Sequence, residues 1–166
     1  IQTTVTSQNR TNDSLLSVIN NVQVHDTNKV RALNQLAVNY YFVSNMAQSQ
    51  RYLTQSLVKS EKIGYKRGKA VANTILGSVS MYQNNNASTL DYSYRALHLY
   101  TEINDTTCQN FISNLNNIAT VYKQSGVYDK SLESYLRALK ICEKTNNKNL
   151  IIVFNNNIAS LYKNKL

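Results

Sequence analysis

The stretch LNNIATVYKQSGVYDKSLESYLRAL, from Leu115 to Leu139, decides the fold. Aliphatic residues at helical spacing precede Gly126, and a second stripe of apolar residues follows it and ends at Ala138-Leu139. Apolar residues that recur three and four positions apart predict an amphipathic helix. Because a turn residue separates the two stripes, the stretch predicts an antiparallel pair of helices.

The same pattern recurs along the whole chain. An aliphatic residue followed by a small one, usually with a tyrosine three positions later, marks four segments. Their small residues are Ala37, Gly77, Ala119 and Ala159, at spacings of 40, 42 and 40 residues. A near-constant period of this size is typical of a helical solenoid. A second pattern starts at Ser49, Thr89 and Ser131 and ends at Ser56-Leu57, Ala96-Leu97 and Ala138-Leu139.

These repeats predict the fold class and the domain organisation. We predict an all-α, α-α superhelix of antiparallel helix hairpins, with about three full repeats plus flanking helices in a single domain over 1–166. Small residues at the crossings let the two helices of a hairpin approach closely. The expected segments are an N-terminal helix over 10–22 capped by Asn12 or Asp13, repeats over 28–63, 68–102 and 107–144, and a half repeat over 149–163 that we expect to be truncated.

The segment Leu115–Leu139 resembles a tetratricopeptide repeat. The family's small position, tyrosine, turn glycine, next aromatic, inter-helix small residue and closing alanine map to Ala119, Tyr122, Gly126, Tyr128, Ser131 and Ala138. The other repeats depart from the pattern, with Ser44 and Asn84 at the turn glycine and Ser80 at the tyrosine. The long period is similar to the version found in kinesin light chains and bacterial signalling proteins. The resemblance implies a right-handed superhelix whose concave face, lined by the first helix of each hairpin, binds an extended peptide or a helix.

The resemblance also implies which residues face a ligand. They lie three before, two before and one after each small residue, and one turn further on. They are Asn34, Gln35, Val38, Tyr41, Thr74, Ile75, Ser78, Met81, Asn116, Asn117, Thr120, Lys123, Asn156, Asn157 and Ser160. Asparagine offers both a donor and an acceptor, as a peptide backbone does. The alternative is that these amides reflect compositional bias and only face water.

The charge of the chain leaves two interpretations open. The net charge is +9 and the isoelectric point is near 9.6. The densest basic stretch contains Lys59, Lys62, Lys66, Arg67 and Lys69. It suits a solvated helix end and loop, which we favour, or a basic scaffold that binds nucleic acid or an anionic surface.

Few residues in the sequence could carry chemistry. His25 and His98 are isolated and lack metal-ligand spacing, and there is no phosphate loop or nucleophile elbow. We therefore expect no enzyme activity, cofactor or metal. Cys108 and Cys142 fall on core stripes of neighbouring helices. They are expected to be buried thiols, with a disulfide as the alternative.

The expected function is protein–protein interaction, with a protein or peptide as the partner and nucleic acid as the less favoured one. By resemblance, the chain would be the sensory or scaffolding region of a larger signalling protein, such as a bacterial two-component sensor kinase or regulator. A ligand-free structural spacer is a further alternative.

The last helix should expose an apolar flank at Ile158 and Leu161, so that either the repeats continue or two copies pair there. The chain begins at Ile1, which suggests a processed or excised segment, and no apolar run approaches a membrane-spanning length.

Overall fold

A computed structural model describes the backbone of residues 2–165 and the side chains of residues 10–163. This part of the chain consists of α-helices joined by short turns, and it contains no strand. The fold class predicted from the repeats is confirmed. The helices are α1 (Gln2–Asn20), α2 (Asp26–Phe42), α3 (Met46–Lys62), α4 (Lys66–Tyr82), α5 (Asn86–Glu102), α6 (Gln109–Gln124), α7 (Tyr128–Lys144) and α8 (Lys148–Lys165).

Consecutive helices pack as antiparallel hairpins that stack side by side. In addition, α2 packs on α4 and α4 packs on α6, so the first helices of successive hairpins form one layer. The second helices α3, α5 and α7 make no comparable contacts with one another within the described residues. This difference curves the stack into a superhelix, with the layer that contains α2, α4 and α6 on the inner side.

The N-terminal helix differs from its prediction. α1 begins at Gln2 rather than near residue 10, so the predicted cap at Asn12 or Asp13 is wrong and both residues lie inside the helix. The first ten residues carry few apolar side chains, so periodicity gives no signal that the helix extends through them. Asn12 has a different role, because its Oδ1 accepts a hydrogen bond from Asn39 Nδ2 at 2.8 Å and thereby joins α1 to α2.

Most turns between helices use one left-handed residue. Such a residue follows each helix from α2 to α7, and its backbone N–H donates to a carbonyl of the last turn of that helix. Glycine adopts this conformation without strain, and asparagine tolerates it better than other residues. The residues are Ser44 (φ 57°), Gly64 (φ 64°), Asn84 (φ 56°), Asn104 (φ 54°), Gly126 (φ 73°) and Asn146 (φ 52°).

Hydrogen bonds from small residues lock the two helices of a hairpin together. Ser49 Oγ of α3 donates to the carbonyl oxygen of Ala37 in α2 at 2.8 Å, and Ser131 Oγ of α7 donates to that of Ala119 in α6 at 2.8 Å. All four residues are fully buried. A buried hydroxyl that reaches the backbone of a neighbouring helix requires close approach of the two helices. This contact explains the small residues at these positions in two hairpins, whereas Thr89 at the equivalent position of α5 donates to the carbonyl oxygen of Asn85 at 2.8 Å.

The core extends along the stack and determines which face of α8 is buried. Phe154 and Leu161 of α8 are each 2% exposed, and Ile158 is half-buried against the same core. The predicted apolar flank at Ile158 and Leu161 is therefore wrong, because packing on α7 covers it. The exposed apolar residues of α8 include Ile152 and Val153. Within the described residues, no helix combines the length and apolar character that a transmembrane segment requires.

Candidate functional site

A hollow of about 310 Å³ opens between α2 and α4 on the inner layer of the superhelix. Four of the predicted ligand-facing residues line it, namely Asn34, Gln35, Val38 and Ile75. Val38 and Ile75 make its surface apolar, and the exposed Gln35 stands at its edge. The structure therefore brings together predicted residues from two successive repeats around one depression.

Two of the predicted residues are buried and bonded to neighbouring helices. Asn34 is 6% exposed, donates from Nδ2 to the carbonyl oxygen of Gly68 at 3.1 Å, and accepts from Ser56 Oγ at 2.6 Å. Thr74 is 5% exposed and accepts from Asn114 Nδ2 at 2.8 Å. These side chains bond neighbouring helices to one another. Their contribution to a ligand site is to position the inner layer.

Polar side chains bridge α6 and α8 on the same layer. Asn157 Nδ2 donates to Asn116 Oδ1 at 3.4 Å, and Lys123 Nζ donates to Ser160 Oγ at 2.8 Å. Asn156 is exposed beside this pair of contacts. The first bond is long and the second is exposed to solvent. A polar ligand can therefore replace either bond at a small cost in free energy.

The remaining predicted polar residues lie between these two regions. Ser78 Oγ donates to the carbonyl oxygen of Thr74 at 3.3 Å, and Thr120 Oγ1 donates to that of Asn116 at 2.8 Å. Both hydroxyls are thereby used within their own helices. Asn117 is 6% exposed, and its Nδ2 makes no hydrogen bond to a described residue.

An aromatic cluster lies where α2 and α4 end, beyond the residues that line the hollow. Tyr41 makes edge-to-face contacts with Phe42 and Tyr82, at centroid distances of 5.8 and 6.4 Å. Phe42 is 76% exposed and Tyr82 is 56% exposed, while the predicted residues Tyr41 and Met81 are half-buried. Large aromatic surface near a groove is typical of protein-binding sites.

The densest basic stretch is largely neutralised by carboxylates. Lys59 pairs with Asp26 at 2.9 Å, Lys66 with Glu102 at 3.3 Å, Arg67 with Asp105 at 2.6 Å, and Lys69 with Glu61. Four of the five cations in this stretch are therefore paired. Cations that are already paired have less electrostatic energy to offer a polyanion, so the local geometry gives little support to a nucleic-acid surface there.

Several titratable groups of this chain lie in the packed core or at a helix end. Both Cys108 and Cys142 are free, and burial raises the pKa of each thiol. Burial also raises the pKa of Tyr100 to about 12, against the opposing effect of the hydrogen bond from Asn110 Nδ2 at 2.9 Å. His25 caps α2 by accepting from the backbone N–H of Thr27 at 3.3 Å. Among the described residues, no three His, Cys, Asp or Glu side chains cluster as a metal site would require.

The structure adds residues that sequence reasoning did not single out. Arg31, Tyr65 and Arg67 also line the hollow, together with Gly68 and Val71. Arg31 and Val71 lie one helical turn before Gln35 and Ile75, so extending each predicted stripe by one turn would have found them. Tyr65 and Gly68 could not be found this way, because they lie at the start of α4 and its preceding turn.

Residues 114–149, which cover most of α6 and all of α7, match the family model described as tetratricopeptide repeat. The other hairpins share its helix-turn-helix geometry, and they stack on it in one layer. Residues 114–149 therefore form a tetratricopeptide repeat. The turn glycine of the matched repeat is Gly126, which has the positive φ that this position requires.

A solved structure has a similar fold over nearly the whole chain. The crystal structure of BtubC (BKLC) from P. vanneervenii is similar over 92% of this chain, with a TM-score of 0.75 and 16% sequence identity. The chain spans 63% of the length of that protein. At this identity the likeness shows the fold alone. No curated relative matches the sequence.

Proposed function

We propose that this protein binds a peptide or helix of a partner protein along the inner layer formed by α2, α4, α6 and α8. Tetratricopeptide repeats generally mediate protein–protein interaction, and the binding mode is our proposal. The hollow between α2 and α4 is the observation that carries it. An apolar depression, with an aromatic cluster further along the same two helices, suits an anchoring side chain of the partner.

Polar side chains at the hollow and further along the layer complement this anchor. Gln35 and Asn156 are exposed, and each amide can accept a backbone N–H and donate to a backbone carbonyl of an extended peptide. Lys123 provides a further donor beside α8. The apolar anchor at one end would provide affinity. Hydrogen bonds to the peptide backbone along the rest of the layer would set the direction in which the peptide lies.

We further propose that the chain has no catalytic activity and serves as the sensory or scaffolding region of a larger signalling protein. Its fold is typical of interaction modules. The support for the signalling role, as in a bacterial two-component sensor kinase or regulator, is the long repeat period noted in the sequence. This context is separable from the binding mode, because the hollow exists in the chain alone.

A peptide-display selection would test the binding mode directly. Random peptides would be selected on the wild-type protein, and the enriched peptides would then be titrated against Val38→Glu. A buried negative charge in the hollow should weaken an apolar anchor by at least tenfold. Leu136→Glu is the matched control, since Leu136 is 48% exposed on α7, away from the hollow.

The selection also separates the proposal from its rivals. Failure to enrich any peptide that distinguishes Val38→Glu from Leu136→Glu would contradict the groove and favour a spacer. Enrichment of acidic peptides alone, with affinity that falls steeply with salt and equally in both variants, would favour the basic-scaffold interpretation.

A further inference from the structure

A second cavity, of about 460 Å³, lies between the outer helices α3 and α5. Leu57 and Leu99 give it apolar walls, and α4 contributes Lys69 and Asn73. Its volume falls in the range of sites that hold small molecules. It is separate from the peptide site proposed above, because only the inner layer lines that site.

The neighbouring hairpin provides an internal comparison. A smaller groove lies between α5 and α7, and Leu97, Leu115 and Arg137 line it. These positions correspond, at the repeat spacings of 40 and 42 residues, to Leu57, Asn73 and Arg95 of the larger cavity. The two grooves are therefore built on the same scaffold, and their differences indicate what is specific to the larger one.

Asn73 is the polar exception at a core position. Its counterparts Leu33 and Leu115 are 1% and 2% exposed, and Asn73 is 3% exposed. Its Nδ2 donates to the carbonyl oxygen of Lys69 at 2.8 Å, but its Oδ1 accepts no hydrogen bond from the described residues. The amide also buries less apolar area than the leucine of its two counterparts, so it contributes less to the core. Departures of this kind are expected at functional sites.

The charged groups around Asn73 have unused bonding capacity. Lys69 pairs with Oε2 of Glu61, which leaves Oε1 of that carboxylate able to accept another bond. Arg95 donates from Nε to Asp91 at 2.9 Å, so the other N–H groups of its guanidinium remain for an anion. The lining of the cavity therefore combines apolar walls with two available acceptors, on Asn73 and Glu61, and with the guanidinium of Arg95.

We propose that this cavity binds a free α-amino acid with a large apolar side chain. The side chain lies against Leu57 and Leu99. The ammonium group donates to Oδ1 of Asn73 and Oε1 of Glu61, and the carboxylate accepts from the guanidinium of Arg95. In this arrangement the ammonium group of the zwitterion meets the two acceptors, and its carboxylate meets the cation.

Calorimetric titration with three related molecules tests the assignment. L-phenylalanine should bind with a Kd on the order of 1 mM. Phenylacetate lacks the ammonium group and phenethylamine lacks the carboxylate, so each should bind at least tenfold more weakly. Absence of saturation with L-phenylalanine, or equal binding of the three molecules, would overturn the proposal.

Two variants test the location of the site, and neither is expected to destabilise the protein. Asn73→Leu introduces the residue found at both equivalent positions, so the melting temperature should hold or rise while L-phenylalanine binding falls at least tenfold. Arg95→Gln should weaken binding similarly, whereas Arg137→Gln in the equivalent groove should leave it unchanged. Wild-type affinity in Asn73→Leu, or equal effects of the two arginine variants, would refute the site.

Discussion

Gly68 allows α4 to begin close to α2 and α3, and replacing it with alanine should destabilise the protein. A Cβ at this position would stand 2.5 Å from Val30 Cγ1, 2.5 Å from Tyr65 Cδ1 and 2.9 Å from Ser60 Oγ. Val30 is fully buried, so its methyl group cannot move into solvent. Three contacts this short place the cost of overpacking in the upper part of its usual range, at about 2–3 kcal/mol, and the higher helix propensity of alanine offsets about 1 kcal/mol of it.

The net loss for Gly68→Ala is thus about 1–2 kcal/mol, or a fall in melting temperature of roughly 2–8 °C for a chain of this size. Urea unfolding followed by circular dichroism would measure it. Gly64→Ala is the control, because its cost comes from a positive φ of 64° with no neighbour within 4 Å. In a Val30→Ala background the cost of Gly68→Ala should shrink, and that of Gly64→Ala should not. Wild-type stability of Gly68→Ala, or an unchanged cost in that background, would refute the packing argument.

Three further perturbations address the turns, the hairpin contacts and the buried phenol. Ser44→Gly should raise the free energy of unfolding by about 0.5 kcal/mol, because Ser44 has a φ of 57°; a lower melting temperature would contradict this. Ser131→Ala should cost about 1–2 kcal/mol in urea unfolding, since it removes a buried bond to Ala119, whereas Ser134→Ala should cost less than about 0.5 kcal/mol; equal losses would be inconsistent with the hairpin contact. Tyr100 has its pKa raised to about 12 in the fold, compared with about 10 when unfolded, so the stability it contributes is complete below pH 10 and is lost as the pH rises towards 12. Tyr100→Phe should therefore show a shallower fall of unfolding free energy between pH 9 and 11, and a slope equal to that of wild type would count against the buried phenol.

The sequence was sufficient to predict the helical repeats because their signal is local and recurs. Each hairpin carries its own apolar stripes, and the small residues at Ala37 and Ala119 lie where a serine of the facing helix bonds their carbonyl oxygens. The start of α1 escaped prediction because its first turns lack an apolar stripe. The burial of Leu161 escaped it because helix rotation against α7 is set by packing between distant residues.

The sequence predicts which positions belong to the candidate site, but not which hydrogen bonds their side chains make. The register placed Asn34 on the inner layer, but its bond to the carbonyl oxygen of Gly68 depends on the close approach of α2 and α4. Likewise, nothing in the sequence indicates that Asn114 Nδ2 bonds Thr74 of another helix, whereas Asn73 Nδ2 bonds the carbonyl oxygen of Lys69 in its own helix. Which amide is available to a ligand is decided by tertiary contacts, and spacing alone does not reveal them.

The stacking of each helix on its near neighbours has a kinetic consequence. The side-chain hydrogen bonds described above join helices that are close in sequence, as between Asn116 and Asn157, which lie 41 residues apart. A chain whose contacts are close in sequence closes only short loops as it folds, so we expect folding within milliseconds. The order of events should follow the stability of individual hairpins, with the best-packed hairpin nucleating and its neighbours adding outward in both directions.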